Sequence, residues 1–275
     1  MKSRRKVLQL VVPKPEGEDA DFDFRFRDSR LVRWTSAFRN RVSVSDLLRV
    51  RVGLADSIRL GGVYVDINDS GQASLRLIED IWMRGEYDFT GYVVQPGWRV
   101  IDIGANVGIF TLLCSQRGGR IVSYEPSPSS VDKLREHSVG RWIDVIHAAV
   151  VPERDRSRAR LYLRDRHTRN SLLENVGAPV RGGSIDIPAV SMDYVLDKPC
   201  DLLKIDTEGT EQELIVSAGD KLRNAERIIA EIDESVVDPQ IVLEYVQSYG
   251  FGGRVHRAFP GTPYHLLTVK KRCCC

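Results

Sequence analysis

Two glycines and one glutamate have the residue types and the spacing to bind a nucleotide. The apolar run Arg99–Ile103 is followed by a turn that contains Gly104 and Gly108, and then by a helix-like pattern. A buried parallel strand has a continuous apolar sequence, and a glycine turn lets a ligand approach the N–H groups at the start of the next helix. The next apolar run, residues 120–124, ends at Glu125, where a carboxylate can accept hydrogen bonds from both hydroxyls of a ribose. This pattern predicts half of a nucleotide-cofactor site.

A second set of reactive side chains, Lys204, Asp206 and Glu208, lies where another apolar run ends. Open α/β sheets bind their ligands at the carboxyl ends of their strands. An alcohol that attacks an electrophile needs a base within hydrogen-bond reach, so Asp206 or Glu208 is a candidate general base or a clamp for a substrate hydroxyl. Lys204 points the same way as Asp206 and needs a charged partner if it is buried. An equally open alternative is a structural ion-pair network of these three residues with Glu211.

The residues inside the glycine turn discriminate between classes of nucleotide cofactor. A dinucleotide site has the spacing G-x-G-x-x-G, whose second glycine lets the backbone meet the pyrophosphate. Asn106 and Ile109 stand at the second and third glycine positions, and their side chains would crowd a pyrophosphate. A ligand with an amino-acid end and a single nucleoside fits better, with the amino-acid end at the turn and the ribose at Glu125. S-adenosylmethionine has this composition and is the predicted cofactor.

Three segments of the chain together resemble a known family. They are residues 100–108, residues 124–126, and residues 201–211 with the pattern Lys-Ile-Asp-x-Glu-Gly-x-Glu. They resemble the class I S-adenosylmethionine-dependent methyltransferases and, more closely, the FkbM family, over about residues 81–234. Members of that family are mostly O-methyltransferases of sugars and natural products. The resemblance therefore implies an enzyme that methylates a hydroxyl on such a molecule.

The resemblance also implies roles for individual residues. Asp102 would orient the amino end of the cofactor, directly or through water, and His147 with Ala148 would contact the adenine, although His147 could equally be a core residue. Gly104 and Gly108 would allow close approach of the cofactor, with tight packing of strand on helix as the alternative. The predicted cofactor-binding residues are Glu86, Tyr87, Asp102, Gly104, Ala105, Asn106, Gly108, Glu125, Pro126, His147 and Ala148. The predicted catalytic residues are Lys204, Asp206 and Glu208.

The elements around these motifs predict an α/β, doubly wound, Rossmann-like sheet. Strands and helices alternate with short connections in the second part of the chain, which is the pattern of a mostly parallel sheet. Five parallel strands are expected, the third over residues 143–150, followed by an antiparallel C-terminal hairpin within residues 251–269. Residues 154–183 interrupt the alternation and are expected to form a loop-rich insert with one strand. His167 and Asn170 in this insert are candidate substrate contacts.

The N-terminal part of the chain has a different pattern. Residues 1–95 are predicted to form a small mixed α+β accessory region, and residues 96–275 the cofactor-binding domain. Alternating apolar residues predict strands at residues 22–26 and 63–67. Apolar residues at helical spacing predict a helix that ends at Gly85.

The composition disfavours several other classes of protein. The formal net charge is +2, from 40 basic and 38 acidic residues, so no strong field favours nucleic acid or a membrane surface. No apolar run reaches the roughly eighteen residues that span a bilayer, and the N-terminus has no apolar core of a signal peptide. Five cysteines, three of them at residues 273–275, have no paired spacing and do not indicate a disulfide framework. We expect a cytoplasmic protein that acts on a small molecule with a hydroxyl, with neither nucleic acid nor membrane as a partner.

Three alternatives stay open at this point. Carboxylates that follow the last two parallel strands could hold magnesium, which prefers carboxylates plus water, but no ligand spacing requires it and no metal site is predicted. A nucleotide-dependent oxidoreductase is disfavoured by Asn106 and Ile109. A catalytically inactive binding module of the same fold is disfavoured by the intact Gly104, Gly108 and Glu125. The sequence names neither the acceptor nor the oligomeric state.

Overall fold

The structure, a computed structural model, describes most of the chain. The described residues are 40–66, 72–164, 170–174, 179–258 and 262–272. The strand predicted at residues 22–26, the candidate contact His167 and the cysteines at residues 273–275 lie outside these ranges.

The helices and strands form a short N-terminal group, a central sheet and a smaller sheet. In chain order they are α1 (Val44–Arg51), β1 (Ser57–Leu60), β2 (Val63–Asp66), α2 (Gln72–Ile78), which continues as a π-helix (Glu79–Arg84), β3 (Arg99–Ile103), α3 (Ile109–Gln116), β4 (Arg120–Glu125), α4 (Pro128–Ser138), β5 (Ile143–His147), β6 (Ala149–Val151), β7 (Arg158–Arg164), β8 (Val180–Ser191), α5 (Met192–Val195), β9 (Leu202–Ile205), α6 (Glu211–Ala218), which continues as a 3-10 helix (Gly219–Asn224), β10 (Arg227–Asp233), α7 (Pro239–Ser248), β11 (Phe251–Arg257) and β12 (Tyr264–Lys271). Among the described helices, none has the length and hydropathy needed to cross a membrane.

The central sheet has seven strands in the order β11-β12-β10-β9-β3-β4-β5. Strands β10, β9, β3, β4 and β5 are parallel, and β12 and β11 add an antiparallel hairpin at one edge. This arrangement confirms the predicted α/β, doubly wound fold with a C-terminal hairpin. The chain runs outward from β3 to β5 and then returns to β9 on the other side of β3, so the strand order reverses between β3 and β9. At such a reversal the carboxyl ends of the strands open a crevice where ligands bind.

The two faces of the central sheet bury different helices. Successive residues of a strand point to opposite faces, so Ile101 packs with the apolar residues of α6 and α7, whereas Val100 and Leu202 pack with those of α3. Asp102 and Lys204 come two residues after Val100 and Leu202, and they are paired in the strand register. Both polar side chains therefore lie on the α3 face of the sheet, where its strand order reverses.

Residues of the insert and of its two flanks form a second sheet of three strands in the order β6-β8-β7. The prediction of one continuous strand over residues 143–150 was wrong, because β5 ends at His147 and the chain leaves the central sheet at Ala148. Ala149 instead pairs with Ala189 of β8, a contact between distant parts of the chain that the local apolar pattern does not reveal. β7 pairs antiparallel with β8, and the three strands bury their own small apolar cluster. The one strand expected inside the insert is present as β7, and β8 begins at the C-terminal end of the insert.

The described N-terminal elements pack on α3. Leu47 and Trp82 belong to the same hydrophobic cluster as Leu112, and the Trp82 indole N–H donates to the Ile109 carbonyl at 2.8 Å. β1 and β2 pair as an antiparallel hairpin, so the predicted strand that begins at residue 63 is confirmed as β2. The helix that was predicted to end at Gly85 does end there. The division of the chain near residue 95 stays a prediction.

Candidate active site

The turn that follows β3 is held against the end of β4 by backbone hydrogen bonds. The N–H groups of Gly104 and Ala105 both donate to the Tyr124 carbonyl, at 3.0 and 3.1 Å. Asn106 has a left-handed backbone with a φ of 52°, a conformation that asparagine tolerates better than most residues. Its side-chain Oδ1 accepts a hydrogen bond from the Val107 N–H at 2.8 Å. The turn is thus fixed in shape before α3 begins.

Close packing within the protein requires glycine at position 104 and disfavours a side chain at position 108. At Gly104, whose φ is +76°, a Cβ would lie 1.7 Å from the Asp206 carbonyl oxygen, so the turns after β3 and β9 touch backbone to backbone. At Gly108, whose φ is +90°, a Cβ would lie 2.4 Å from the Leu134 Cδ1 of α4. The alternative of tight packing thus has direct geometric support, and a close approach of the cofactor at these glycines stays a prediction.

Glu125 is 5% exposed, and two backbone donors hold its carboxylate. Oε2 accepts from the Asn106 N–H and Oε1 from the Ser127 N–H, each at 2.8 Å. A carboxylate has about four lone-pair sites, so about two remain for the hydroxyls of a ribose. Burial raises the pKa of Glu125 to about 7, although both backbone hydrogen bonds act to lower it. The carboxylate at the end of β4 is therefore preorganised and fits the ribose predicted for it.

Lys204 forms a buried ion-pair network between the turns after β3 and β9. Its Nζ lies 3.2 Å from Asp102 Oδ1 and 3.1 Å from Asp206 Oδ2, and it donates to the Gly104 carbonyl at 3.1 Å. The side chains of Lys204 and Asp102 are 4% and 0% exposed, whereas that of Asp206 is 27% exposed. Burial lowers the pKa of Lys204, but the two carboxylates outweigh burial and raise the pKa above its ordinary value. The predicted pair of Lys204 with Asp206 is present, and Asp102 is the second partner.

The loop after β9 is folded around the carboxylate of Glu211. This carboxylate accepts from the Thr207 N–H at 2.7 Å, from the Thr207 hydroxyl at 2.9 Å and from the Gly209 N–H at 3.1 Å. Burial raises the pKa of Glu211, and the backbone hydrogen bonds act against that rise. Glu208, at the tip of the loop, has a left-handed backbone with a φ of 60°. Glu211 therefore has a structural role, because it shapes the loop that carries Asp206 and Glu208.

These elements surround a cavity of about 350 Å³ beside the reversal of strand order. The predicted residues that line it are Glu86, Tyr87, Gly104, Ala105, Asn106, Glu125, Pro126, Ala148, Lys204, Asp206 and Glu208. Three predicted residues do not line it. Asp102 is buried beneath the turn, where the Thr111 hydroxyl donates to its Oδ2 at 2.6 Å. Gly108 lies at the start of α3, and the His147 ring contacts the Pro126 carbonyl at 3.2 Å.

The insert supplies one wall of the cavity. Asn170, Ser171 and Leu172 line this wall, so the candidate contact Asn170 does face the site. The Ser171 hydroxyl donates to the Glu208 carbonyl at 2.8 Å, which ties the insert to the loop after β9. Asn170 Oδ1 accepts from the Arg164 N–H at 2.9 Å, which fixes Asn170 against the end of β7. The second sheet thus completes a cavity that the central sheet begins.

The segment that carries this site also matches a known family. Residues 102–252, more than half of the chain, match the family model described as the Methyltransferase FkbM domain. The chain belongs to this family. It is an S-adenosylmethionine-dependent methyltransferase, as the sequence predicted. A comparison with curated proteins found no match.

Solved structures similar to this FkbM methyltransferase include several other methyltransferases of low sequence identity. An rRNA methylase from Streptococcus thermophilus is 14% identical with a TM-score of 0.43, over 68% of this chain and 95% of that chain. A precorrin-6y C5,15-methyltransferase from Geobacter metallireducens is 17% identical with a TM-score of 0.42, over 66% and 84% of the two chains. The fibrillarin from Aeropyrum pernix, solved with natively bound S-adenosyl-L-methionine, is 13% identical with a TM-score of 0.40, over 64% and 68%.

The FkbM methyltransferase has a further carboxylate in its cavity that sequence reasoning missed. Glu231 of β10 lines the cavity. Burial raises the pKa of Glu231 well above its ordinary value, and the negative charges of Asp206, Glu86 and Glu208 raise it further. The sequence does contain a signal that could have identified Glu231. It is an acidic residue inside the apolar run of residues 228–232, where a strand of the sheet interior has little reason to carry a charge.

The described residues of this FkbM methyltransferase include no group of three or more His, Cys, Asp or Glu side chains arranged to hold a metal ion. Two of the carboxylates that line the cavity have partners within the protein. Asp206 pairs with Lys204, and Glu125 accepts backbone N–H groups.

Proposed function

We propose that this FkbM methyltransferase transfers the methyl group of S-adenosylmethionine to a hydroxyl on a sugar or another small natural product. The observation that supports this most directly is the presence of two kinds of carboxylate in one cavity. Glu125 faces it with free capacity for a ribose, and Asp206 and Glu208 face it with capacity for an acceptor. The cofactor supplies a methyl group on a positively charged sulfur. Alignment of the hydroxyl and removal of its proton are then the tasks left to the protein.

We assign the cofactor to the part of the cavity at the ends of β3 and β4. Glu125 accepts the ribose hydroxyls, and the turn of residues 104–108 faces the amino-acid end. Pro126 and Ala148 lie beside the adenine, with His147 behind them. Glu86 and Tyr87 close the same part of the cavity from the segment after the π-helix. Asp102 is buried below the turn, so its role is to hold Lys204 in place and not to contact the cofactor.

We assign the acceptor to the part of the cavity around the loop after β9. Lys204 is a positioning residue, since its ammonium group holds the Asp206 carboxylate at 3.1 Å. The contact with Lys204 uses one Asp206 oxygen and leaves lone pairs of the carboxylate for further hydrogen bonds, which suits Asp206 to orient an acceptor hydroxyl. Glu208 lies two residues further along the loop and is the second group proposed to contact that hydroxyl.

The charge of the cavity supports a small neutral or cationic acceptor over nucleic acid. Glu86, Asp206, Glu208 and Glu231 all line it. These carboxylates would repel a phosphodiester backbone, whereas proteins that bind nucleic acid neutralise phosphates with Lys and Arg. The nearly balanced net charge of +2 provides no strong long-range attraction for nucleic acid either.

The proposed reaction is tested by incubating the protein with methyl-labelled S-adenosylmethionine and separate panels of sugars, hydroxylated natural products, amines and RNA. Mass spectrometry should find one added methyl group on an oxygen of a small hydroxylated molecule. With such an acceptor, Asp206→Asn or Glu208→Gln should lower kcat by about a hundredfold or more, because a hydroxyl that is no longer held in line with the methyl carbon reacts slowly. The matched control is Glu244→Gln, because Glu244 is exposed on α7.

Three outcomes would contradict the proposal. Methyl transfer only to RNA or only to nitrogen would exclude the hydroxyl acceptor. Full turnover in both carboxylate variants would exclude the roles of Asp206 and Glu208. Calorimetric binding of NAD without binding of S-adenosylhomocysteine would favour an oxidoreductase, and cofactor binding with no transfer to any panel would favour a binding module.

A further inference from the structure

Three polar residues follow one another across the α3 face of neighbouring strands. Asp102 of β3 is paired in register with Lys204 of β9, and Lys204 is paired with Ile229 of β10. Glu231 comes two residues after Ile229 and therefore points to the same face, closer to the carboxyl end of the sheet. It lines the cavity there together with Asp206 and Glu208. Glu231 thus lies one strand away from the proposed acceptor site, on the strand that follows β9 across the sheet.

Among the described residues, the charges that face Glu231 are unbalanced. Carboxylates act on it from the segment after the π-helix (Glu86) and from the loop after β9 (Asp206 and Glu208), whereas Lys204 is the described cation that acts against them. Lys204 is already shared between Asp102 and Asp206.

The other neighbours of Glu231 do not reverse this imbalance. Burial raises the pKa of Tyr87 well above its ordinary value, so its phenol is neutral. The residue paired with Glu231 on β12 is Leu266. Arg76, which also lines the cavity, pairs with Asp80 at 3.7 Å, and its side chain is 70% exposed and therefore screened by solvent.

We propose that Glu231 is the proton carrier of this site. Its carboxyl group is protonated in the ligand-free enzyme and loses the proton to solvent when the positively charged cofactor binds. The ionised carboxylate then accepts the proton of the acceptor hydroxyl. The proton loss requires only cofactor binding. The final step rests on the proposed function. In that step the acceptor O–H bond breaks and its proton goes to a Glu231 oxygen. The acceptor oxygen bonds to the methyl carbon, and the electron pair of the broken C–S bond stays on sulfur. Glu231 afterwards returns the proton to solvent.

The physical reason lies in the difference between the cofactor and its product. S-adenosylmethionine carries a carboxylate, an ammonium and a sulfonium, so its net charge is +1, whereas S-adenosylhomocysteine lacks the sulfonium and is neutral. A positive charge in the cavity stabilises the ionised form of every carboxylate that faces it. Burial raises the pKa of Glu231 and its carboxylate neighbours raise it further, so Glu231 is protonated before the cofactor arrives. Glu125 must be ionised to accept the ribose hydroxyls of either molecule, so it is ionised in both complexes and releases the same number of protons with each.

Calorimetric titration in two buffers of different ionisation enthalpy measures the protons released when each molecule binds. At pH 7 the wild-type protein should release more protons with S-adenosylmethionine than with S-adenosylhomocysteine, by roughly half to one proton. In Glu231→Gln this difference should disappear while S-adenosylhomocysteine still binds. Glu244→Gln, on the exposed face of α7, should keep the full difference.

Equal proton release for the two molecules in the wild type would overturn the proposal, and so would a difference that survives in Glu231→Gln. If Glu231→Gln fails to bind either molecule, Glu231→Asp decides, because it retains a carboxyl group and must keep the difference. The proton count needs no acceptor, so it remains valid if no hydroxyl is methylated and the proposed function fails. Once an acceptor is known, Glu231→Gln should lower kcat, and unchanged kcat would exclude the final step.

Discussion

The binding of S-adenosylhomocysteine should strengthen as the pH rises through 7, because Glu125 must ionise to accept both ribose hydroxyls. Burial raises the pKa of this carboxyl from 4.5 to about 7. It is then ionised to about one tenth at pH 6 and about nine tenths at pH 8. If only the ionised form binds the ribose well, the Kd should fall about tenfold between these values, which corresponds to roughly 1.4 kcal/mol. S-adenosylhomocysteine is the suitable probe because it cannot react.

The folding stability of the ligand-free protein should show the opposite trend. A carboxyl whose pKa is raised in the folded state stabilises the fold most below its unfolded value of 4.5, and this stabilisation is lost as the pH rises through about 7. The free energy of unfolding should fall by about 3 kcal/mol for a carboxyl group with this pKa difference between the unfolded and folded states. Urea unfolding of the wild type and of Glu125→Gln at pH 5 and pH 8 measures this fall as the difference between their pH dependences.

Calorimetry at pH 6, 7 and 8 tests the binding prediction with two variants. Glu125→Gln should bind weakly at every pH, since an amide has a single acceptor oxygen and keeps no charge. Glu136→Gln, on the exposed face of α4, should follow the wild type. A wild-type Kd that is constant from pH 6 to 8, or a Glu125→Gln variant that binds like the wild type, would refute the assignment of the ribose to this carboxylate.

Two further predictions concern the buried framework below the cavity. Lys204→Met should cost about 3–5 kcal/mol of unfolding free energy, because Asp102, which is 0% exposed, loses its cation. In urea unfolding, the double variant Lys204→Met with Asp102→Asn should recover part of that cost. If the costs of the two substitutions simply add, the two residues are not coupled and the prediction is wrong. Gly104→Ala should cost roughly 3 kcal/mol or more and abolish binding of S-adenosylhomocysteine, because its Cβ would lie 1.7 Å from the Asp206 carbonyl. Gly53→Ala, at a φ of +72° with nothing within 4 Å, separates the backbone strain from the clash and should cost only about 1–2 kcal/mol in thermal unfolding.

The cofactor half of the site was predictable because its parts lie close together in the sequence. The strand, the turn with Gly104 and the strand that ends at Glu125 form one local unit, and the pattern of each element appears within a few residues. Lys204 and Asp206 were predictable as a pair for the same reason, since residues two apart on a strand point the same way. Their shared partner Asp102 lies on another strand, and only the register of β3 with β9 brings it to Lys204.

The remaining features depend on contacts between distant parts of the chain. The end of β5 at His147 follows from the pairing of Ala149 with Ala189, which draws the chain into the second sheet. The importance of Glu231 follows from the arrival of β10 beside β9, because nothing within residues 228–232 indicates which strand will be its neighbour. Such pairings are set by the packing of whole elements, and a local pattern of apolar residues does not contain them.

The hydrogen bond from Ser171 to Glu208 has a consequence for how the acceptor specificity of such enzymes diverges. Its acceptor is the backbone carbonyl of Glu208, so the contact does not depend on the Glu208 side chain. Any insert that presents a hydroxyl or an N–H at this point would keep the loop after β9 in place. Substitutions in the insert that keep such a donor should therefore leave the loop after β9 in place. Chimeric enzymes with transplanted inserts are the natural material for changing which molecule is methylated.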